Sequence, residues 1–404
     1  MESYVMLYKV SMSTGKMQEW KAWTCGAAVT SRYGQVEGKT QDSTYTAEAK
    51  NIGRSNETTP PQQALLEVAA MYRDQVDNKH YRLSEEEATT LSKSCREPRK
   101  VKNYKDHGHK MSSILLSSKK KNGSRACVVD GVLYSKIGRA ETVKVEHLRM
   151  AIQTLSEHGH GVATFDAEVY AHGLSLQRIR SAWLKPVRTD KEVEKVQRDY
   201  FKKTGKVLPY SPNNEAPLLK FHVFDIPTLT DAGYDNRIVW MEQLEHAVNY
   251  LGLEDCFEFI YPVETHSPEE RLTLRDKWVK EGYEGSVHYE PEGVYEFGKR
   301  SGNTQKDKPR YDSEALVTGV EHCKNGDGKL LLTACDTLDN VKFKCMMKVS
   351  RRDGLDYPRK VSDMEELVGK WITFAYEELS DSGIPTKPTG EEERLCDNEG
   401  NPLE

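Results

Sequence analysis

Residues 119–139 read KKKNGSRACVVDGVLYSKIGR, and this stretch constrains the fold more than any other. Asp130-Gly131 stands between VV and VLY, the pairing of turn residues and β-formers that closes a two-residue hairpin. The segment 111–134 is therefore expected to be strand. Asn122-Gly123 is a second turn, and it follows three adjacent lysines directly. A basic run is ordinarily a solvated face. A lysine presented by a glycine turn can also be a nucleophile once it loses its proton.

The surrounding chain reads as a mixture of strands and helices. Residues 4–45 alternate as short strands. A helix is expected at about residues 60–75, opened by Pro60 and Pro61, with Leu65, Val68, Ala69 and Tyr72 on one buried face. Ser84 and Glu87 form a capping box for a second helix. The basic, proline-interrupted stretch 95–103 reads as a linker. Val145, Leu148, Ile152 and Leu155 mark a helix, as do Leu244, Val248 and Leu251. VATFDAEVY and LLKFHVFDI read as strands. Between them, Val193, Val196 and Tyr200 give a surface helix in a charged segment. After Pro309 the pattern turns to strands, with turns at Asn325-Gly326 and at residues 338–340, as in a small β-barrel.

With 404 residues, the chain has room for two or three domains. No apolar run nears the ~20 residues of a membrane span, so no membrane association is expected. The start of the chain lacks the order of a secretory signal. Eight cysteines form no CxxC pair, which fits a reducing compartment and speaks against structural zinc. The net charge of −5 does not favour nucleic acid by itself, so any such surface has to be local. Basic clusters occur at residues 96–105, 119–121 and at Lys202, Lys203 and Lys206.

An ordered series of short matches surrounds the opening stretch. KKNGSR (residues 120–125) fits Lys-x-(Asp/Asn)-Gly-x-Arg. SKIGR follows, then FDAE (165–168), FHVFD (221–225), YEGSV (283–287) and KDKP (306–309). In this order the series resembles the covalent nucleotidyltransferases, most closely ATP-dependent DNA ligases of small, phage-like type. Lys136 stands where that family usually has arginine, and Ala167 where it has glycine. Residues 1–95 resemble a WGR domain, a module of DNA-binding and repair proteins, with Tyr33, Gly34 and Gln35 at the naming triplet.

The resemblance implies an α+β, multidomain chain. Its parts are a small WGR-like β-rich DNA-binding module (1–95), a nucleotidyltransferase (ATP-grasp-like ligase) core of antiparallel sheets with helices (96–310) and a C-terminal OB-fold β-barrel (311–404). It implies an ATP-dependent DNA ligase of replication and repair, acting through lysyl-AMP and DNA-adenylate. Lys120 is the implied nucleophile, which must attack as a neutral amine. Arg125, Lys136, Glu168, Phe224, Lys306 and Lys308 are the implied ATP/AMP contacts, with Phe224 stacking on adenine. Glu168 and Glu284 are the implied ligands for Mg²⁺, with Mn²⁺ as an alternative. Lys39, Lys50 and Arg54 are the implied DNA contacts, whereas Lys119 and Lys121 are expected to be solvated or DNA-facing. Lys387 and Arg394 are candidates for orienting pyrophosphate. The implied partner is nicked duplex DNA, or an RNA-DNA hybrid, bound by a monomer in the cytoplasm, that of the host if the source is viral. Two rivals share the pattern: an RNA ligase or capping-type guanylyltransferase, and a non-catalytic nucleic-acid-binding protein of the same fold.

Overall fold

The computed structural model describes the chain apart from residues 1, 4, 13, 95, 159–162, 324–326, 349, 353–354, 358–359 and 404. The expected Asn325-Gly326 turn lies outside the described residues. Two compact units form, one of Cys95–Pro309 and one of Met1–Ser94 with Arg310–Glu404.

The Cys95–Pro309 unit is built on two sheets. One runs Ala140–Glu141, Val132–Tyr134, Ser124–Val129, Phe165–Tyr170, Lys220–Asp225, Phe257–Phe259. The other runs Val263–Thr265, Leu115–Lys120, Gly285–Tyr289, Arg300–Asp307, Lys100–Asn103. Most neighbours are antiparallel, but the Lys220–Asp225/Phe257–Phe259 and Arg300–Asp307/Lys100–Asn103 pairs are parallel. Asp130 and Gly131 both adopt positive φ, 50° and 77°, as a hairpin turn of the primed type requires.

Asn122-Gly123 does something different. Leu115–Lys120 pairs with Gly285–Tyr289 in one sheet, while Ser124–Val129 pairs with Phe165–Tyr170 in the other. The turn therefore carries the chain between sheets and leaves Lys120 at their junction. Gly123 is needed there for space: a Cβ would lie 2.3 Å from Val169 O and 2.8 Å from Glu168 Cγ.

Helices Glu146–Glu157, Leu176–Leu184 and Tyr234–Tyr250 cover the first sheet. Leu148, Ile152 and Leu155, at helical spacing, are buried against Val128, Phe165 and Val169. Each such side chain contributes roughly 1.5–3 kcal/mol by leaving water. The expected linker at 95–103 is instead structural. Arg99 is buried, and Lys100–Asn103 is an edge strand of the second sheet.

In the other unit, strands Leu7–Val10, Met17–Cys25, Ala28–Gln35 and Thr40–Thr46 form an antiparallel meander. Helix Pro60–Asp77 packs on it through Ala64 and Val68. Of the expected stripe, Val68 is buried and Tyr72 packs against the core, but Leu65 is 36% exposed, because the first inward turn runs through Gln63 and Ala64. Ser84 caps helix Glu85–Lys93 by accepting from Glu87 N at 3.1 Å. The C-terminal strands Tyr311–His322, Gly328–Ala334, Lys342–Met347, Thr389–Arg394 and Trp371–Tyr376 close into a barrel around Val317, Leu332, Ile372 and Phe374.

Candidate active site

Lys120, the last residue of its strand, has its Nζ on Glu284 Oε2. Lys308 Nζ donates to the other oxygen, Oε1, of the same carboxylate. Backbone geometry sets up this bridge. Glu284 N donates to Lys120 O at 2.9 Å, and Gly285 pairs with Lys120 in the sheet. Gly285 sits at φ +147°, and a Cβ there would meet Asp307 O at 2.2 Å. Only glycine lets Glu284 lie between the two lysines. Burial opposes the charge of Glu284, and Lys120 and Lys308 more than offset this, holding it below the usual carboxylate range.

Glu168 comes from the neighbouring sheet and accepts from Gly123 N at 3.2 Å. Burial pushes its carboxyl up to about 7, with Lys120 and Arg125 opposing and Glu284 and Asp166 adding repulsion. Arg125, on the adjacent strand, is clamped. Its Nε and Nη2 donate to Asp166 Oδ1 and Oδ2 at 2.9 and 2.5 Å, and Nη1 donates to Arg99 O at 2.6 Å. Tyr295 Oη also donates to Asp166 at 2.6 Å. The guanidinium lies 5.7 Å from the centre of the half-buried Phe224 ring.

Lys120, Arg125, Glu168 and Phe224 edge a cavity of about 150 Å³, with Lys119 and Lys121 beside them. Val101, Phe224, Ile260, Val287 and Tyr289 give it apolar walls, while Lys120, Arg125 and Glu168 supply charge. Lys306 pairs with Val287, and strand alternation puts it on the face of Thr304, another lining residue. Lys120, Glu168, Glu284, Lys308, Arg125 and Phe224 are thus gathered in one place. Lys136 is not among the lining residues and stands exposed on a turn closed by Gly138 N and Ser135 O.

Sequence reading missed the frame behind the site. Asp225 is gripped by two buried arginines, Arg99 Nη2 at 2.6 Å and Arg237 Nε at 2.7 Å. Lys121, expected to be solvated or DNA-facing, is instead buried, 3.1 Å from Glu258 and over the rings of Tyr170 and Tyr283. The Glu258 carboxylate and the faces of Tyr170 and Tyr283 compensate its charge there. Lys119 pairs with Glu281 at 3.2 Å.

The other predicted residues lie in the second unit. Lys39 and Arg54 are exposed, and Lys50 pairs with Glu67 at 3.2 Å. Lys387 pairs with Glu377 at 2.6 Å, while Arg394 closes the last barrel strand.

No protein-family model matches the chain. The DNA ligase of African swine fever virus is 25% identical over 371 residues, covering 85% of this chain and 77% of the viral protein. A solved Lig E DNA ligase aligns with a TM-score of 0.53 and 19% identity, over 74% of this chain and 98% of its own. The solved chain Pmar-Lig_Pre aligns with a TM-score of 0.56 and 16% identity, over 78% and 72%. The chain has the fold of a DNA ligase. In this chain the Asn122-Gly123 crossing joins the two sheets, and the lysine-carboxylate bridge lies at their junction.

Proposed function

We propose that this chain is an ATP-dependent DNA ligase that seals nicks between a 5′-phosphate and a 3′-hydroxyl. The observation that carries this reading is the Lys120–Glu284–Lys308 bridge at an apolar cleft between two sheets. A lysine held at such a cleft can bond to the α-phosphorus of ATP as the bond to pyrophosphate breaks. AMP then passes from Lys120 to the 5′-phosphate of a nick. Attack by the 3′-hydroxyl joins the strands and releases AMP.

The remaining residues suit those steps. Phe224 and the apolar walls fit the adenine ring. Arg125, fixed by Asp166 and Arg99 O, supplies a positive charge whose position is settled before substrate arrives. Lys306 and Lys308 offset the charge that builds on the α-phosphate. Glu168 fits Mg²⁺, or Mn²⁺, by the hardness of its oxygens and by the burial that raises its carboxyl. Glu284, whose oxygens hold Lys120 and Lys308, would join it by exchanging one of these ammonium groups for the ion. When bound, such an ion would neutralise triphosphate charge. Lys136, exposed and outside the cleft lining, takes no part in this reading.

Residues 1–95, 96–310 and 311–404 are read as a WGR-like DNA-binding module, the adenylyltransferase and an OB-fold barrel. The enzyme is taken to be a monomer of the small phage-like type, acting in the cytoplasm. Among the described residues no helix is long and apolar enough to cross a membrane.

The test is incubation with α-labelled ATP or GTP and Mg²⁺, followed by nicked duplexes with DNA or RNA on each side of the break. Label from ATP and sealing of the DNA nick are expected. Label from GTP alone, or sealing confined to RNA, would replace this reading by the capping or RNA ligase one.

A further inference from the structure

Helix Asp190–Thr204 has no buried residue, yet the chain fixes it firmly at both ends. Thr189 and Glu192 form a complete capping box, and Gly205, at φ 68°, stops the helix. Arg188 and Asn213 lock its two stems together: Arg188 N donates to Asn213 Oδ1 and Asn213 Nδ2 donates to Arg188 O, both at 2.9 Å. Arg188 Nη2 also donates to Ser181 Oγ at 2.6 Å. A helix that buries so little adds little to folding, since most helical stability comes from a packed face. Its firm mounting therefore asks for another purpose.

The outer face supplies one. Lys191, Lys195, Arg198 and Lys202 fall at i, i+4, i+7 and i+11, all exposed. At 100° per residue they make one narrow stripe, directly opposite the partly buried Val193, Val196 and Tyr200. None of the four has an ion-pair partner among the described residues; Glu194 and Asp199 flank the stripe without pairing to it. At ~1.5 Å per residue the stripe is about 16 Å long. That length spans several phosphates of one DNA strand, which are ~3.4 Å apart along the axis. In a chain of net charge −5, four cations in a line, none ion-paired among the described residues, form a local basic stripe between Glu194 and Asp199.

We propose that helix Asp190–Thr204 is a clamp on duplex DNA, with Lys191, Lys195, Arg198 and Lys202 tracking one phosphate backbone beside the break. This rests on the ligase reading. The helix lies outside the nucleotide cleft, so it serves the DNA and not ATP.

The experiment uses the full chain with Lys191, Lys195, Arg198 and Lys202 all changed to Gln, and measures binding to a nicked duplex from low to high salt. Each lost phosphate contact lowers the slope of log K against log salt by about 0.9, so a fall of about 3 to 4 is expected for all four. Glu194→Lys, which extends the stripe at its edge, should tighten low-salt binding. Self-adenylation should be unchanged in both variants. An unaltered slope in the quadruple variant overturns the clamp, as does unaltered binding by Glu194→Lys. Absence of self-adenylation and sealing in the unmodified protein would instead overturn the ligase reading, so the two failures are distinct.

Discussion

Lys120 and Glu284 are joined twice: Glu284 N donates to Lys120 O at 2.9 Å, and Lys120 Nζ donates to the Glu284 carboxylate. The backbone bond fixes the strand end, and the side-chain bond fixes the amine. Lys308 occupies the other carboxylate oxygen, so one glutamate holds both cations at the cleft.

Lys120→Ala should abolish the single AMP adduct formed with ATP and Mg²⁺, read by intact-mass spectrometry. Lys119→Ala should keep it, because the Lys119 ammonium pairs with Glu281 and not with Glu284. An adduct surviving in the first variant and missing from the second would reassign the nucleophile.

Lys306→Ala and Lys308→Ala should each slow adenylation about 100-fold, the typical effect of removing one preorganised group aimed at developing charge, about 3 kcal/mol. Single-turnover rates with labelled ATP test this. Near-normal rates in both would leave Lys308 as a structural partner of Glu284 and remove both lysines from the adenylation step.

Glu168 makes stability depend on pH. Its carboxyl is raised from 4.5 to about 7 in the folded protein, chiefly by burial. The folded state therefore binds more protons than the unfolded one across that window, and stability falls as pH rises through it. Glu168→Gln cannot ionise and lacks this loss. Relative to the variant, the unmodified protein should lose up to about 3 kcal/mol between about pH 4.5 and 7 and little more above that. Urea midpoints at several pH values would show it, and parallel curves for the two proteins would refute it.

Asp225→Ala should destabilise the Cys95–Pro309 unit by about 3–5 kcal/mol, because Arg99 and Arg237 would be left buried without their counter-charge. Denaturant unfolding is the measurement. A change under about 1 kcal/mol would mean that water or a shifted side chain replaces the carboxylate.

How far the sequence could be read follows from the range of each interaction. Asp130-Gly131 announces its own hairpin, and Leu148, Ile152 and Leu155 announce a helix face, since turn chemistry and helical period are local. Lys120 stood out through the glycine turn beside it, whereas Glu284 and Lys308 drew attention only as members of an ordered series. The Asn122-Gly123 turn gave no sign that it crosses between sheets. Arg99 and Arg237 were invisible because their partner, Asp225, is 126 and 12 residues away with no periodic signal. Lys121 was misjudged for the same reason, its Glu258 partner lying 137 residues on. Leu65 was assigned inward by period alone, but the meander meets the helix at Ala64.

The N-terminal meander offers the last test, of whether residues 1–95 grip DNA. Lys39, in the turn between Ala28–Gln35 and Thr40–Thr46, and Arg54, in the loop before helix Pro60–Asp77, are exposed. Lys50 is less available, because Glu67 holds it at 3.2 Å while also accepting from Tyr45 and Gln63. The double variant Lys39→Gln, Arg54→Gln should therefore carry most of the effect. It contains every residue of the nucleotide cleft unchanged, so self-adenylation should be normal. Each lost phosphate contact should lower the salt slope of nick binding by about 0.9, or about 2 for the pair. The Michaelis constant for nicked DNA should rise at low salt, and the gap should narrow as salt is added, because counterion release drives the lost contacts. Unchanged nick affinity at low salt would leave the module as a docking site for another protein, with DNA held by the core and barrel alone.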